Sequence, residues 1–355
     1  MAIAPDDPKT FRTTFQKSVA ILKPKKEIIL PRFFYYLLQY DNARLSEFAA
    51  GTTQKNLLLK DFRTFSVNVP PLPEQKRIAH ILGTLDDKIE LNRRMNETLE
   101  GMARALFKSW FVDFDPVRAK AAGKKPEGMD AATAALFPDS FVDSELGKIP
   151  KGWRGGTLGD IANQKRNGIK PEAIPKDTAY IGLEHIPKKS IALSDWGDSS
   201  HIKSGKASFK KGDFLFGKLR PYFHKVGVAS IDGVCSTDIV VVISRKLCWY
   251  GFVLMSISST EFVDWTDSAS TGTKMPRTNW NDMARFKQAL PAEQIAGKFS
   301  ELINPLILRI TENIHNSRTL ASTRDALLPK LLSGELRVKG KNKLCAKAQK
   351  ILIRR

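Results

Sequence analysis

Apolar residues recur at steps of three and four over two long stretches of the chain. In the first stretch these positions run from Ile78 to Trp110, and in the second from Ile295 to Leu327. The spacing predicts a long α-helix with one apolar seam in each stretch. The predicted seam positions are Ile78, Leu82, Leu85, Ile89, Asn92, Asn96, Leu99, Ala103, Leu106 and Trp110 in the first helix, and Ile295, Phe299, Leu302, Leu306, Arg309, Asn313, Asn316, Leu320, Thr323 and Leu327 in the second.

Both seams carry asparagines near their middle, Asn92 and Asn96 in one and Asn313 and Asn316 in the other. A polar residue in a seam costs stability but specifies register and partner. We therefore expect the two helices to pair as an antiparallel coiled coil in which the asparagines meet, and to act as a spacer of roughly 60 Å. An ordinary helical-bundle core has the same periodicity, so the pattern leaves that alternative open.

The chain repeats itself at a distance of about 220 residues. Gly51-Thr52 and Gly272-Thr273 each precede a Glu-Gln pair, Glu74-Gln75 and Glu293-Gln294, and the offsets are 272 − 51 = 221 and 293 − 74 = 219. A period of this length indicates two copies of a domain plus a helix. The second copy has far more chain before its helix than the first, so we expect the first module to be shortened by about half at its N-terminal side.

Short β-rich runs broken by Gly and Pro, with helical stretches between them, follow residue 149 and predict a mixed α/β module. The predicted fold class is α+β, with mixed α/β modules joined by two long helices in an antiparallel coiled coil. The predicted boundaries are a remnant of the first module at 1–72, a helix at 73–112, a surface linker at 113–148, the second module at 149–290, a helix at 291–333 and a frayed basic tail at 334–355.

The charge balance indicates the class of partner. Lys and Arg number 57 against 37 Asp and Glu, which gives a formal net charge of +20 and a pI near 9.8. Such an excess favours a polyanion, with nucleic acid first and an anionic membrane surface second. Cys235, Cys248 and Cys345 lack the spacing of a disulfide framework or a zinc site. Because the apolar runs are too short for a signal peptide or a bilayer span, we expect a soluble cytoplasmic protein.

Three motifs of enzymes are approached but not completed. The run GDFLFGKL (212–219) ends in Leu219, where a phosphate-binding loop needs Ser or Thr. PDSFVDSELGK (138–148) misses nuclease spacing by one residue, and NVPPLP (68–73) lacks the aromatic residue of an amino-methyltransferase tetrad. The histidines show no metal-ligand spacing. We therefore predict a non-catalytic chain without a metal site, and keep a stand-alone nuclease or methyltransferase as a further hypothesis.

Four motifs carry a family resemblance: PPLPEQ (70–75), LGKIPKGW (146–153), FKKGDFLFGKLRPYFHKVGVASIDGVCSTDIVVV (209–242) and STGTKMPRTNW (270–280). Together they resemble the specificity (S) subunits of type I restriction-modification systems, over nearly the whole chain. The resemblance implies two target recognition domains that each bind one half of a split site in double-stranded DNA, alternating with two helical regions that form a coiled coil. It also implies methyltransferase (M) subunits that modify adenine and restriction (R) subunits that add ATP-driven translocation and cleavage. S-adenosylmethionine, ATP and Mg²⁺ would then belong to these partners, and this chain would bind no cofactor.

The sequence departs from the family in the missing front half of the first recognition domain. A late start-codon choice, a disrupted gene and a shortened subunit that dimerises all remain open. The alternative to full recognition is a truncated S-like interaction protein that docks M subunits without selecting a bipartite site.

The candidate DNA contacts lie in two basic or polar segments of the second module and in one segment of the first. Cationic, hydroxyl and amide side chains there can contact phosphates or base edges, and Arg220 in particular could bind guanine in a bidentate manner. A basic strand and a polar loop that merely face water would have the same composition. The predicted DNA-binding residues are Lys218, Arg220, Tyr222, Lys225, Thr273, Lys274, Arg277 and Asn279, with Thr52, Thr53, Gln54, Lys55 and Asn56 in the first copy. Trp280, next to the second segment, is predicted to pack under its loop.

Overall fold

A computed structural model describes residues 21–48, 65–272, 274–338 and 349–352 of the chain. It divides into two compact units. Unit 1 comprises the described residues of Met1–Leu91 and Ser317–Arg355, and unit 2 is the continuous segment Asn92–Asn316. Each unit contains its own cluster of buried apolar side chains.

The first described elements lead into a long helix. They are α1 (Pro31–Tyr40), α2 (Asn42–Glu47), β1 (Ser66–Val69) and α3 (Leu72–Phe107), after which Lys108–Val112 form a π-helical turn. Pro73 lies in the first turn of α3, where a missing N–H leaves no hydrogen bond unmade, and Glu74 complements the positive end of the helix dipole.

Most of the strands follow. The elements in order are α4 (Asp115–Ala121), α5 (Ala131–Leu136), β2 (Phe141–Ser144), β3 (Gly147–Pro150), β4 (Arg154–Thr157), α6 (Leu158–Ile161), β5 (Ala162–Gln164), β6 (Gly168–Ile169), β7 (Ala179–Ile181), β8 (Gly197–Asp198), β9 (Lys206–Phe209), β10 (Phe214–Gly217), β11 (Val226–Val228), β12 (Gly233–Cys235), β13 (Ile239–Ser244), α7 (Tyr250–Ile257), α8 (Thr260–Ser268), α9 (Trp280–Ala284), β14 (Lys287–Leu290), α10 (Glu293–Leu332) and β15 (Gln349–Leu352). Short 3₁₀ turns lie at Pro171–Ala173, Leu183–His185, Pro221–Phe223 and Leu247–Trp249.

Two sheets form the centre of unit 2. One is antiparallel with the order β11-β10-β13-β5, and the other has the order β6-β9-β12-β7-β8 with a single parallel pair, β12 and β7. In β13, Val240 and Val242 join one buried cluster while Ile239 and Val241 join another. Burial on both faces explains why this strand is a continuous apolar run rather than an alternating one.

The two long helices run antiparallel within each unit. In unit 2, the Phe111 and Phe299 ring centroids are 4.9 Å apart, and Asn313 Nδ2 donates to Asn96 Oδ1 at 2.9 Å. Residue 96 thus contacts residue 313, and residue 111 contacts residue 299. Later residues of the first helical stretch contact earlier residues of α10, which is the antiparallel arrangement. In unit 1, an Arg324 guanidinium nitrogen donates to Asp86 Oδ1 at 2.6 Å, and residues near the start of α3 share a core with residues near the end of α10. The predicted fold class, with its antiparallel helix pair, is confirmed.

The seam predicted for α3 is confirmed, since all ten positions are buried or half-buried. The seam predicted for α10 is wrong in part, because Leu302, Arg309, Asn316 and Thr323 are exposed. The buried face instead follows isoleucines one residue further along the chain, namely Ile303, Ile307, Ile310 and Ile314. This frame buries more apolar surface than one that includes an arginine, and burial is the dominant favourable contribution to packing.

Three of the four asparagines predicted to set the helix register are buried. The relative exposures are 3% for Asn92, 7% for Asn96 and 2% for Asn313. Asn316 is exposed and therefore does not share the buried Asn96–Asn313 contact. The role of these residues in register stays a prediction.

The segment predicted as a surface linker at 113–148 is built into unit 2. It contains α4, α5 and β2, and its Val117 and Phe137 side chains are 0% and 1% exposed. The ring of Phe137 packs edge-on against Trp110 at a centroid distance of 5.1 Å. Within residues 113–148, charged residues and glycines outnumber large apolar residues such as Val117 and Phe137. For this reason the composition of the segment indicated a surface linker.

The tail predicted as frayed contains β15, which pairs antiparallel with β1 in the register Val67↔Ile351. Pairing satisfies backbone groups that a strand edge otherwise leaves to water. Basic composition therefore did not prevent these residues from forming a strand.

The repeat seen in the sequence is also visible in the order of elements. Two helices and a strand precede each long helix, as α1, α2 and β1 before α3 and as α7, α8 and β14, with α9 between, before α10. The starting residues differ by 250 − 31 = 219, 260 − 42 = 218, 287 − 66 = 221 and 293 − 72 = 221. No helix among the described residues is both long enough and apolar enough to cross a membrane.

Candidate nucleic-acid interface

Two segments that the sequence analysis selected separately lie side by side in unit 2. The backbone N–H of Arg220 donates to Pro276 O at 2.8 Å, and the N–H of Thr278 donates to Lys218 O at 3.0 Å. Leu219 and Arg277 lie opposite each other as an antiparallel bridge. We call residues 218–225 together with 274–279 the paired-loop surface.

The paired-loop surface is anchored on the end of a buried strand pair. The last register pair of β10 and β13 is Gly217 with Ile239, and the N–H of Lys218 extends this ladder by donating to Asp238 O at 2.9 Å. A Cβ on Gly217 would lie 2.9 Å from Leu183 Cδ2 and 3.2 Å from Lys225 Cβ. Glycine therefore permits the close approach of these two side chains to the backbone at position 217. The loop consequently starts from a rigid support.

The first loop of the surface is held in an unusual backbone conformation. Arg220 and His224 have φ values of 52° and 51°, in the left-handed region that non-glycine residues rarely occupy. His224 Nε2 lies 2.9 Å from Ser258 O and the side chain is buried. Burial lowers the pKa of His224, an effect to which the nearby charges of Arg104 and Lys189 add. Such strain persists where surrounding contacts fix it, as is frequent at functional sites.

The predicted cations differ in their surroundings. Lys225 Nζ donates to Leu183 O, and burial together with the charge of Lys188 lowers the pKa of Lys225. Lys274 is exposed, and Arg277, which is also exposed, forms an ion pair with Asp238 at 3.2 Å. Lys218 is half-buried. The surface therefore holds an exposed ammonium on Lys274 and a guanidinium on Arg277 that is held in an ion pair.

Two further predicted contacts can be located. Tyr222 is 49% exposed, and its ring meets Phe223 edge-on at a centroid distance of 4.7 Å. Arg220 is half-buried, and its Nε is buried without a hydrogen-bond partner among the described residues. A buried donor without a partner is costly in a folded protein, and a ligand acceptor would relieve that cost.

Comparison with known proteins finds similarity to one family along most of the chain. A family model for the type I restriction modification DNA specificity domain matches residues 4–101. The HindI specificity subunit of Haemophilus influenzae is 26% identical over 89% of this chain and 80% of that protein. The MjaIX specificity subunit of Methanocaldococcus jannaschii is 28% identical over 88% of this chain and 71% of that protein. This chain is a homologue of type I specificity subunits.

The fold is similar to that of a solved S subunit. A crystal structure of the S subunit of a type I restriction-modification system from M. genitalium superposes with a TM-score of 0.50 and 16% identity, covering 86% of this chain and 74% of that one. At this identity the likeness concerns the fold alone.

Asn279, predicted to contact bases, has a structural task in this type I specificity-subunit homologue. It caps α9: its Oδ1 accepts from the Asp282 N–H at 3.2 Å, and its Nδ2 donates to Asp282 Oδ2 at 2.5 Å. Asparagine is a preferred N-cap residue, so the Asn279–Asp282 spacing was the signal for this role. Trp280 packs partly buried against the main core of unit 2, as predicted.

Several predicted residues cannot be located. Thr273 and the first-copy segment Thr52, Thr53, Gln54, Lys55 and Asn56 lie outside the described residues. Their role in DNA binding stays a prediction.

Sequence analysis missed charged residues that the strand ends bring to the surface. Because β7 and β12 are parallel, the residues that follow them, including Glu184 and Asp238, come to the same side. Lys188 Nζ lies 4.4 Å from the Phe223 ring centroid, within cation–π range. Asp238 directly precedes β13 and Glu184 lies three residues after β7, and these positions beside buried strands were the available signal.

A buried carboxylate ties the paired-loop surface to α3. Glu100, which is 4% exposed, accepts from Ser190 Oγ at 2.6 Å and from the Ala192 N–H at 3.1 Å. Arg104 Nη2 donates to Lys189 O at 2.8 Å, and the N–H of Lys189 donates to His224 O at 2.9 Å. Glu100 and Arg104 are among many charged residues of α3, so the sequence did not distinguish them.

Among the described residues, no group of three or more His, Cys, Asp or Glu side chains is arranged to hold a metal ion. The paired-loop surface offers hydrogen-bond donors and cations at the end of a buried strand pair.

Proposed function

We propose that this chain is the DNA sequence-recognition subunit of a type I restriction-modification complex. It binds double-stranded DNA and positions adenine-methylating M subunits and R subunits on a bipartite target. The observation that carries the proposal is the hydrogen-bonded meeting of residues 218–225 and 274–279 in one cationic surface at the end of a buried strand pair. Homology to specificity subunits over most of the chain supports it.

The paired-loop surface suits the two tasks of a DNA reader. Lys274 and Lys218 supply point charges for phosphates, which fix register and orientation on a duplex. Arg220 supplies the planar fork of donors that matches guanine in the major groove. Since the loops start from buried strands and are strained in place, little ordering is required on binding.

The long helices suit a spacer and a docking element. α3 and α10 contain 36 and 40 residues, or about 54 and 60 Å of helix. A turn of DNA measures roughly 34–36 Å, so helices of this length are suited to setting the gap between two half-sites. The same helices are the proposed contact for M subunits.

The chain itself is proposed to be non-catalytic. S-adenosylmethionine, ATP and Mg²⁺ would be bound by the M and R subunits, and this chain would contribute target selection. Activity of the purified chain in the absence of partners would contradict this part of the proposal.

The decisive experiment is base-resolution methylation mapping in a host that lacks its own adenine methylation. Co-expression of the full chain with its M subunits should produce methylated adenines in one defined split motif, and M subunits without this chain should not. Methylation at a single undivided motif would support the alternative, an S-like protein that docks M subunits without full bipartite recognition. Methylation without any motif, or none despite complex formation, would contradict target selection by this chain.

A further inference from the structure

One cation of the paired-loop surface is neutralised within the protein. Arg277 Nη2 lies 3.2 Å from Asp238 Oδ1, and the two side chains are 53% and 27% exposed. The described residues provide no other ion pair to Arg277. Lys274 is exposed on the same loop and no described carboxylate pairs with it. A ligand at Lys274 therefore meets a positive charge, whereas a ligand at Arg277 meets a positive charge with a carboxylate beside it.

Both members of the Arg277–Asp238 pair are fixed at their backbones. The N–H of Asp238 donates to Ser236 Oγ at 3.2 Å. The carbonyl oxygen of Asp238 accepts from the N–H of Lys218. Arg277 and Thr271 exchange two backbone hydrogen bonds, each of 3.0 Å. The carboxylate can therefore hold the guanidinium in a defined orientation at the protein surface.

This geometry selects against phosphate as the ligand of Arg277. A phosphate placed on the guanidinium would also lie close to the Asp238 carboxylate, and the like charges would repel each other. A neutral acceptor meets no such repulsion. Guanidinium has five N–H donors, so an ion pair on one side leaves others for a ligand.

We infer that Arg277, oriented by Asp238, is a specificity-determining residue that binds the N7 and O6 acceptors of a guanine in the major groove. Asp238 is its positioning residue. Lys274 and Lys218 then contact phosphates, so the surface separates base recognition from backbone contact. The inference rests on the proposed DNA-recognition function and names the base class that this part of the surface selects.

The test uses the full chain in complex with its M subunits and the target that methylation mapping or selection from randomised duplexes defines. Affinity is measured for this target, for versions in which each guanine in turn is replaced by 7-deazaguanine, and for a scrambled duplex. The substitution removes N7 and leaves Watson–Crick pairing intact. For the wild type, one position should lose affinity, by less than the roughly 5- to 150-fold that a complete bidentate contact contributes, because O6 remains.

Three variants complete the test. Arg277→Ala removes every donor of the guanidinium, so it should lose sensitivity to 7-deazaguanine at that one position and keep the wild-type response at the other guanines. Asp238→Asn removes a negative charge, so it should bind the scrambled duplex more tightly and prefer the target less. Lys274→Ala is the matched control, which should weaken binding to target and scrambled duplex by the same factor.

The possible failures are distinguishable. If the wild-type complex prefers no duplex over the scrambled one, both the recognition function and the role of Arg277 are overturned. If the wild type discriminates but Arg277→Ala keeps full sensitivity to 7-deazaguanine, the role of Arg277 alone is overturned. Weaker binding of Asp238→Asn to target and scrambled duplex alike would overturn the orienting role of Asp238, because that result indicates a structural contact only.

Discussion

At the scale of single residues, close packing fixes the paired-loop surface more than charge does. Gly217 lies where the side chains of Leu183 and Lys225 leave too little room for a Cβ atom. His224 is buried and its backbone has a left-handed conformation. Neither feature contacts DNA in the proposed function, yet both hold the backbone that carries the cations. Changes at these residues should therefore alter stability before they alter chemistry.

Gly217→Ala should destabilise the protein by about 1–3 kcal/mol, since the new Cβ would lie 2.9 Å from Leu183 Cδ2. Gly101→Ala is the matched control, because nothing lies within 4 Å of its Cβ position in α3. There alanine should stabilise by about 0.5–1 kcal/mol through helix propensity. Urea unfolding curves measure both, and equal effects of the two substitutions would contradict the predicted close contact.

His224 should make stability depend on pH. Because burial lowers the pKa of His224 in the folded state, the unfolded state binds more protons as the pH falls below about 6.5. The free energy of unfolding should therefore decrease from pH 6.5 towards pH 5 by this contribution. His224→Gln should flatten that slope. Identical slopes for the wild type and His224→Gln would rule the mechanism out.

At the scale of elements, the two helices show what sequence patterns can and cannot predict. The heptad steps of α3 predicted its buried positions correctly. Apolar residues such as Ile78, Leu82 and Trp110 all fall in a single heptad register, so no second register competes with it. In α10 two frames compete, through Leu302 and through Ile303, and packing against a partner decides between them. Periodicity describes one helix, whereas burial depends on two.

The same limit applies to the candidate site. Two motifs identified the loops at 218–225 and 274–279, but their meeting depends on sheet order, which no local pattern contains. Asp238 was missed because its partner Arg277 lies 39 residues away (277 − 238 = 39). Asn279 was predicted to contact DNA because its side-chain amide can bind a base edge. Its spacing to Asp282 matches a helix N-cap equally well.

The Asn96–Asn313 pair should behave as a coupled unit. Replacing either residue with leucine leaves a buried amide without its partner and should cost about 1–3 kcal/mol. The double substitution should cost less than the sum of the two, because no unpaired amide remains. A double-mutant cycle from denaturant unfolding gives the coupling energy, with the exposed Asn316→Leu as control. Additive effects would show that the 2.9 Å contact contributes no coupling.

At the scale of the whole molecule, the net charge of +20 should dominate binding to any duplex. Each phosphate neutralised adds about 0.9 to the negative slope of log K against log salt concentration. Lys274→Ala should reduce that slope by about one unit, whereas a lysine outside the interface such as Lys124→Ala should not. Filter-binding titrations at several salt concentrations measure the slopes, and equal slopes would remove Lys274 from the phosphate contacts.

The division of the chain into units has a consequence for biosynthesis. Unit 2 is one uninterrupted segment, whereas unit 1 combines residues up to Leu91 with residues from Ser317 onward. On a ribosome, the segment for unit 2 emerges complete while the earlier part of unit 1 still waits for its second half. The N-terminal residues Phe33 and Leu37, whose cluster includes Leu331, remain partly uncovered during that interval. Chaperone demand during synthesis should therefore concentrate on the beginning of the chain.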